Sequence, residues 1–348
     1  MSAEETPLLP LIRAEIRETG PMSAARYMEL CLAHPKHGYY VTRDPLGEAG
    51  DFTTAPEISQ MFGEMIGVWT AWIAQRLRTF RLIELGPGRG TLMADALRAV
   101  RGAGLDPEVW FVETSPVLRK AQAERVPDAH WVASLREVPE GPFVLVANEF
   151  LDALPVHQYL RTAEGWRERL VGIWSGAQDR GGLDWGLSEP FPGQDQAAEG
   201  AWLEISPQAD AVLTEIADRL KTSPGAALIV DYGYTASDRP GGLTMQAVQG
   251  HARIDPLEAP GASDLTWLID FDVAAAALPG AQVTSQADFL ASIGIGERAM
   301  SLAKAKPEQA EVVADALERL TAAQQMGTLF KVLGVVSEDL PTPPGFGG

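Results

Sequence analysis

The spacing of apolar residues changes character along the chain. Over residues 8–33 it is helical and broken at Gly20-Pro21, with Ser23 placed to cap the second of two helices. Residues 34–56 have no period and are rich in Gly, Pro and aromatics. Residues 61–77 read as another helix, with Phe62, Met65, Ile66, Trp69, Trp72 and Ile73 on or near one face. From Phe80 short apolar runs take over, at 80–85, 109–112, 131–133, 143–147 and 226–230, alternating with helical stretches such as 91–101 and 209–220. Such alternation predicts an α/β fold with a doubly wound parallel sheet. Residues 157–174 alternate like a β-hairpin around Ala163-Glu164-Gly165, and 175–200 read as polar surface loop. Residues 265–278 read as helix, 328–336 as the last strand and 341–348 as a frayed tail.

Composition narrows the class of function. The formal net charge of −19 repels a phosphate backbone, so nucleic acid is excluded as a partner and basic protein segments are favoured. The single cysteine, Cys31, allows no internal disulfide, and its apolar run marks it as a small buried hydrophobe. Five histidines without a helical pair lead us to expect no metal. The acidic N-terminus shows neither a secretory leader nor an Arg-rich presequence, and no apolar run of about 18 residues exists to span a membrane. A cytoplasmic location is the resulting expectation. Oligomeric state is left open.

The strongest chemical signal is Glu84-Leu85-Gly86-Pro87-Gly88-Arg89-Gly90, where a strand feeds a glycine loop and then a helix. Backbone amides beside a helix N-terminus can approach a ligand there, although a tight turn with no ligand has the same glycines. The spacing Glu-x-Gly-x-Gly-x-Gly resembles the methyltransferase loop. Thr91 stands where the dinucleotide pattern needs its third glycine, which disfavours a nicotinamide dehydrogenase. Glu113 ends the second strand and can accept ribose hydroxyls, or else serve as a helix-start charge before Ser115-Pro116. Ser134 and Leu135, ending the third strand, are placed to edge an adenine. Asn148 and Glu149 end the fourth, with Asp152 one helical turn on; they mark either a site near a reactive group or an Asn/Asp-rich turn. Thr53 and Thr54 belong to a polar segment that either folds over a ligand or starts the next helix.

Several segments together carry a family resemblance. They are Gly50 to Glu64 (GDFTTAPEISQMFGE), Glu84 to Leu92, Asn148 to Gln158 (NEFLDALPVHQ), Asp231-Tyr232-Gly233, Asp264-Leu265-Thr266 with Asp270-Phe271, and Met326-Gly327 with Phe330-Lys331-Val332. In combination they resemble the MidA-like family, which includes the mitochondrial complex I assembly factor 7 methyltransferases. The resemblance implies a Rossmann-like methyltransferase core at 80–156 and 201–340. An N-terminal helical cap and lid loop would occupy 1–79, and a substrate-binding insertion 157–200. It implies S-adenosyl-L-methionine as cofactor, held by Glu84, Gly86, Pro87, Gly88, Gly90, Glu113, Ser134, Leu135, Thr53 and Thr54. The implied acceptor is a protein arginine in the quinone-site subunit of respiratory complex I; the position of Glu149, Asp152 and Asn148 at the end of the fourth strand makes them the candidate catalytic residues. A non-catalytic assembly chaperone retaining the cofactor fold is the alternative. Tyr234 stands where family members often have histidine, so no role of that histidine carries over.

Overall fold

Strands buried on both faces fix the architecture. The computed structural model describes residues 6–42, 54–77, 79–173, 182–191 and 197–347. Its contacts divide the chain into two units.

The larger unit comprises residues 53–151, 210–238 and 269–348 and holds an eight-stranded sheet. Its strands are β1 (Arg81–Leu85), β2 (Glu108–Val112), β3 (His130–Val132), β4 (Phe143–Asn148), β5 (Gly225–Tyr234), β6 (Ile269–Asp270), β7 (Gln282–Ser285) and β8 (Phe330–Val336). The order is β3-β2-β1-β4-β5-β8-β7, with β6 alongside the end of β5. β1 to β5 run parallel, and β8 lies antiparallel between β5 and β7. Every residue of β4 and β5 is buried, as expected for a parallel strand covered on both faces. Helices α1 (Gln60–Ala74), α2 (Thr91–Gly102), α3 (Pro116–Arg125), α4 (Pro207–Thr222) and α5 (Phe271–Ala277) accompany the strands.

α1 was expected in an N-terminal cap, yet residues 53–79 cluster with the sheet. Gly67 shows why: a Cβ there would lie 2.4 Å from the carbonyl oxygen of Ala96, so only glycine lets the α1 backbone approach α2 this closely.

The smaller unit comprises residues 1–52, 152–209 and 239–268. The two expected helices form as Leu9–Thr19 and Ala24–Ala33, and Ser23 caps the second by accepting from the Arg26 amide at 3.1 Å. The expected hairpin forms as His157–Thr162 and Gly165–Ile173, within a five-stranded sheet that includes Met22–Ser23, Leu183–Leu187 and Trp202–Ile205. A three-stranded sheet is formed by Gln246–Gln249, Ala252–Ile254 and Asp264–Thr266, the first two strands within the Gly/Pro-rich residues that run from Tyr234 to Gly261.

The helix expected over 265–278 is therefore shorter than its apolar spacing suggests. Asp264–Thr266 pairs with Gln246–Gln249 and β6 pairs with β5, leaving only α5 helical. The Asp270 carboxylate sets the α5 start by accepting from the amides of Asp272 and Val273. Among the described residues no helix is long and apolar enough to cross a membrane.

Candidate functional site

Strand register brings the chemistry-bearing residues level. Leu85 pairs with Val112 on one side and Ala147 on the other, and Asn148 pairs with Val230. One residue beyond the Leu85 level stand Gly86 and Glu113, beside Asn148, in one row along the carboxyl edge. The strand order reverses between β1 and β4, which is where open α/β sheets bind ligands. With strands about 4.8 Å apart, Glu113 and Asn148 lie roughly 10 Å apart across β1.

The β1 end forms a backbone cradle. Gly86, Gly88 and Gly90 take φ of 58°, 53° and 78°. At Gly86 a side chain is excluded twice over, by that left-handed backbone and by Phe150, whose Cδ2 would lie 2.7 Å from an added Cβ. The Pro87 carbonyl accepts from the Gly90 amide at 2.7 Å and closes the turn. Glu84 is 2% exposed, and burial pushes its carboxyl up to about 8. Its Oε2 finds no hydrogen-bond partner among the described residues.

At the β2 end the structure shows the helix-start contacts of Glu113. Oε1 accepts from the amides of Thr114 and Ser115 at 2.8 and 2.7 Å, ahead of α3. Oε2 accepts from Gln122 Nε2 at 3.2 Å, and burial raises the carboxyl above its ordinary value. A carboxylate has about four acceptor positions, so Oε2 retains one for a ligand hydroxyl. A glycine cradle, a buried carboxylate oxygen without a partner and this remaining acceptor fit S-adenosyl-L-methionine.

The β4 end is built differently. Glu149 is half-buried and has φ of 49°, one of two non-glycine residues with positive φ among those described. Its Oε1 accepts from Asn148 Nδ2 at 3.1 Å and from the Ala55 amide at 3.4 Å. Asp231, fully buried at the level just past Val230, accepts from the amides of Phe150 and Leu151 at 3.2 and 3.0 Å. Asp231 therefore holds the turn that places Glu149. Its sequence signals were its place after the fifth apolar run and the Asp231-Tyr232-Gly233 segment of the family resemblance.

The remaining expected residues are more dispersed. Thr54 precedes the short helix Ala55–Ile58, where its carbonyl accepts from the Glu57 amide but its side chain makes no cap; the long helix α1 expected next is capped by Ser59 instead. Thr53 lies outside the described residues. Glu57 accepts from the Thr91 hydroxyl at 2.6 Å and stands 3.9 Å from Arg89, tying this helix to the cradle. Ser134 is exposed and bonds Glu137, whereas Leu135 is a buried core residue. Asp152 falls in the smaller unit, buried near Tyr40, whose hydroxyl donates to Asp264. Among the described residues no group of His, Cys, Asp or Glu could hold a metal.

Comparison with known proteins places this geometry. A family model described as putative S-adenosyl-L-methionine-dependent methyltransferase matches residues 65–287. The mitochondrial protein arginine methyltransferase NDUFAF7 of Mus musculus is 36% identical, over 94% of this chain and 84% of its own. Its Homo sapiens counterpart is 37% identical, over 77% and 68%. A crystal structure from Burkholderia thailandensis, bound to S-adenosyl-homocysteine, superposes with a TM-score of 0.84 at 30% identity, covering 97% of this chain and 93% of that one. The cofactor is thus S-adenosyl-L-methionine and the sheet is the Rossmann-like methyltransferase sheet. The expected cytoplasmic location is overturned by the relatives' names, each of which places its protein in mitochondria. A buried thiol and an acidic N-terminus carried no information about compartment.

Proposed function

Since the chain belongs to the MidA-like family of S-adenosyl-L-methionine-dependent methyltransferases, we propose that it methylates an arginine side chain of a protein. The observation that carries this reading is Glu149, a carboxylate beside Asn148 at the end of a central strand, in a backbone conformation that Asp231 fastens. A guanidinium stays protonated, with a pKa above about 12, and presents N–H groups in a planar fork that suits a carboxylate. S-adenosyl-L-methionine, when bound, supplies a methyl group on a sulfonium that leaves as a neutral thioether. The chain's own contribution is alignment. The 86–90 cradle and Glu113 hold the donor. Glu149 orients the guanidinium, Asn148 steadies Glu149, and Asp152 is the proposed second acid. As the new N–C bond forms, the nitrogen loses a proton that Glu149 can accept.

The arginine acceptor is supported by the relatives' names, and the net charge of −19 suits a basic target. The family resemblance extends the proposal to the quinone-site subunit of respiratory complex I. We assign the rest of the peptide to segments 1–79 and 157–200. Glu149→Gln keeps the shape and removes the charge. Turnover on an arginine peptide should then fall about 100-fold, the scale of a lost transition-state contact, with S-adenosyl-homocysteine affinity preserved by calorimetry. Near-normal arginine methylation by mass spectrometry would assign this acid to fastening the Ala55–Ile58 helix alone.

A further inference from the structure

We infer that Gln122 is a positioning residue that couples the glycine cradle to Glu113, so that both halves of the cofactor site are set by one side-chain amide. Gln122 lies on α3, outside the strand-end motifs, and is fully buried. Its amide bonds three partners. Nε2 donates to the Gly88 carbonyl at 2.7 Å and to Glu113 Oε2 at 3.2 Å, while Oε1 accepts from Trp131 Nε1 at 2.8 Å. Both donors of the amide are used, and one of the two acceptor positions on its oxygen is filled by Trp131.

The residue type follows from what it must join. Gly88 O and Glu113 Oε2 are both acceptors, and only a two-donor group can bridge them. A lysine or arginine would do so by ion-pairing with Glu113 and occupying the carboxylate intended for ribose. A neutral amide holds the acid in place and leaves its charge available. Gln122 also packs beside the cradle, since a Cβ at Gly90 would stand at ordinary contact distance, 3.4 Å, from Gln122 Cα. Arg119 braces the same corner from the backbone, its guanidinium donating to the carbonyls of Glu113 and Val132. Gln122 is thus the side chain that connects the β1 loop, the β2 end and, through Trp131, β3.

Gln122→Met keeps the length and removes all three bonds. Calorimetry should show S-adenosyl-homocysteine binding at least 10-fold weaker, and KM for S-adenosyl-L-methionine should rise by more than kcat falls. Glu113→Gln should cost clearly less affinity in the Gln122→Met background than in the wild type, because the carboxylate has already lost its alignment. Additive losses, or affinity within two-fold of wild type in a folded Gln122→Met protein, would overturn the coupling. If Gln122→Met does not fold, Trp131→Phe on half-buried β3 provides the test. It removes only the donor that steadies the amide and should weaken S-adenosyl-homocysteine about three-fold; unchanged affinity there also overturns the proposal.

Discussion

The two ends of the carboxyl edge solve the same problem in opposite ways. Both β1 and β4 leave the sheet through a backbone with positive φ. The β1 end takes it at glycines, where it costs little, and the β4 end takes it at Glu149, where a side chain makes it costly. The β1 and β2 ends store their cost instead as burial, in Glu84 and Glu113. A region that only binds can be built without torsional strain. On the proposed role of Glu149, a region that aims one carboxylate accepts strain in return for direction, and Asp231 supplies bonds that hold the turn after it.

The contrast can be broken most severely at Gly86. Gly86→Val places a branched side chain against Phe150 in a left-handed backbone, so S-adenosyl-homocysteine binding should become undetectable by calorimetry while the far-ultraviolet spectrum persists. Retained affinity in a folded variant would remove the cradle from the site.

Glu84 gives a smaller effect, read through pH. Below about 4.5 its carboxyl is protonated in folded and unfolded chains alike. Between 4.5 and about 8 the unfolded chain sheds the proton and the folded one keeps it, so this group makes stability fall as pH rises; above 8 both are ionised. The slope is at most about 1.4 kcal/mol per pH unit. Glu84→Gln should therefore flatten ligand-free denaturation midpoints measured from pH 5 to 8. A slope equal to that of the wild type would mean the burial cost is not stored here.

The finest test is Glu149→Gly, which relieves the backbone. Stability should rise by about 1 kcal/mol as turnover collapses, the signature of strain held for function. A loss of stability would show that the carboxylate's bonds to Asn148 and Ala55 outweigh the torsion.

Much of the cofactor half was legible because strand ends are legible. Apolar runs such as 143–147 fix where β4 stops, and the residue after a run falls on the carboxyl edge by construction, which is how Gly86, Glu113 and Asn148 come out level. The rest depended on tertiary contacts that leave no local pattern. Asp231 ends the apolar run, yet β5 continues to Tyr234, because Asp231 and Tyr232 pair with Lys331 and Phe330 on β8 while Gly233 and Tyr234 pair with β6. Gln122 looks like any polar helix residue until Gly88, Glu113 and Trp131 surround it. The hairpin at 246–254 was hidden in a Gly/Pro-rich stretch whose Gly250-His251 turn takes φ of 56° and 61°.

The antiparallel β8 has a consequence for biosynthesis. It follows every other described strand in sequence, yet it occupies a place inside the sheet, with seven register pairs to β5 and four to β7. Until residues 330–336 emerge from the ribosome, β5 offers a long apolar edge of unpaired amides and carbonyls to any other nascent chain. A stop codon before Phe330 would therefore do more than shorten the protein: it would release a sheet whose open flank favours aggregation, however intact the cofactor cradle two strands away.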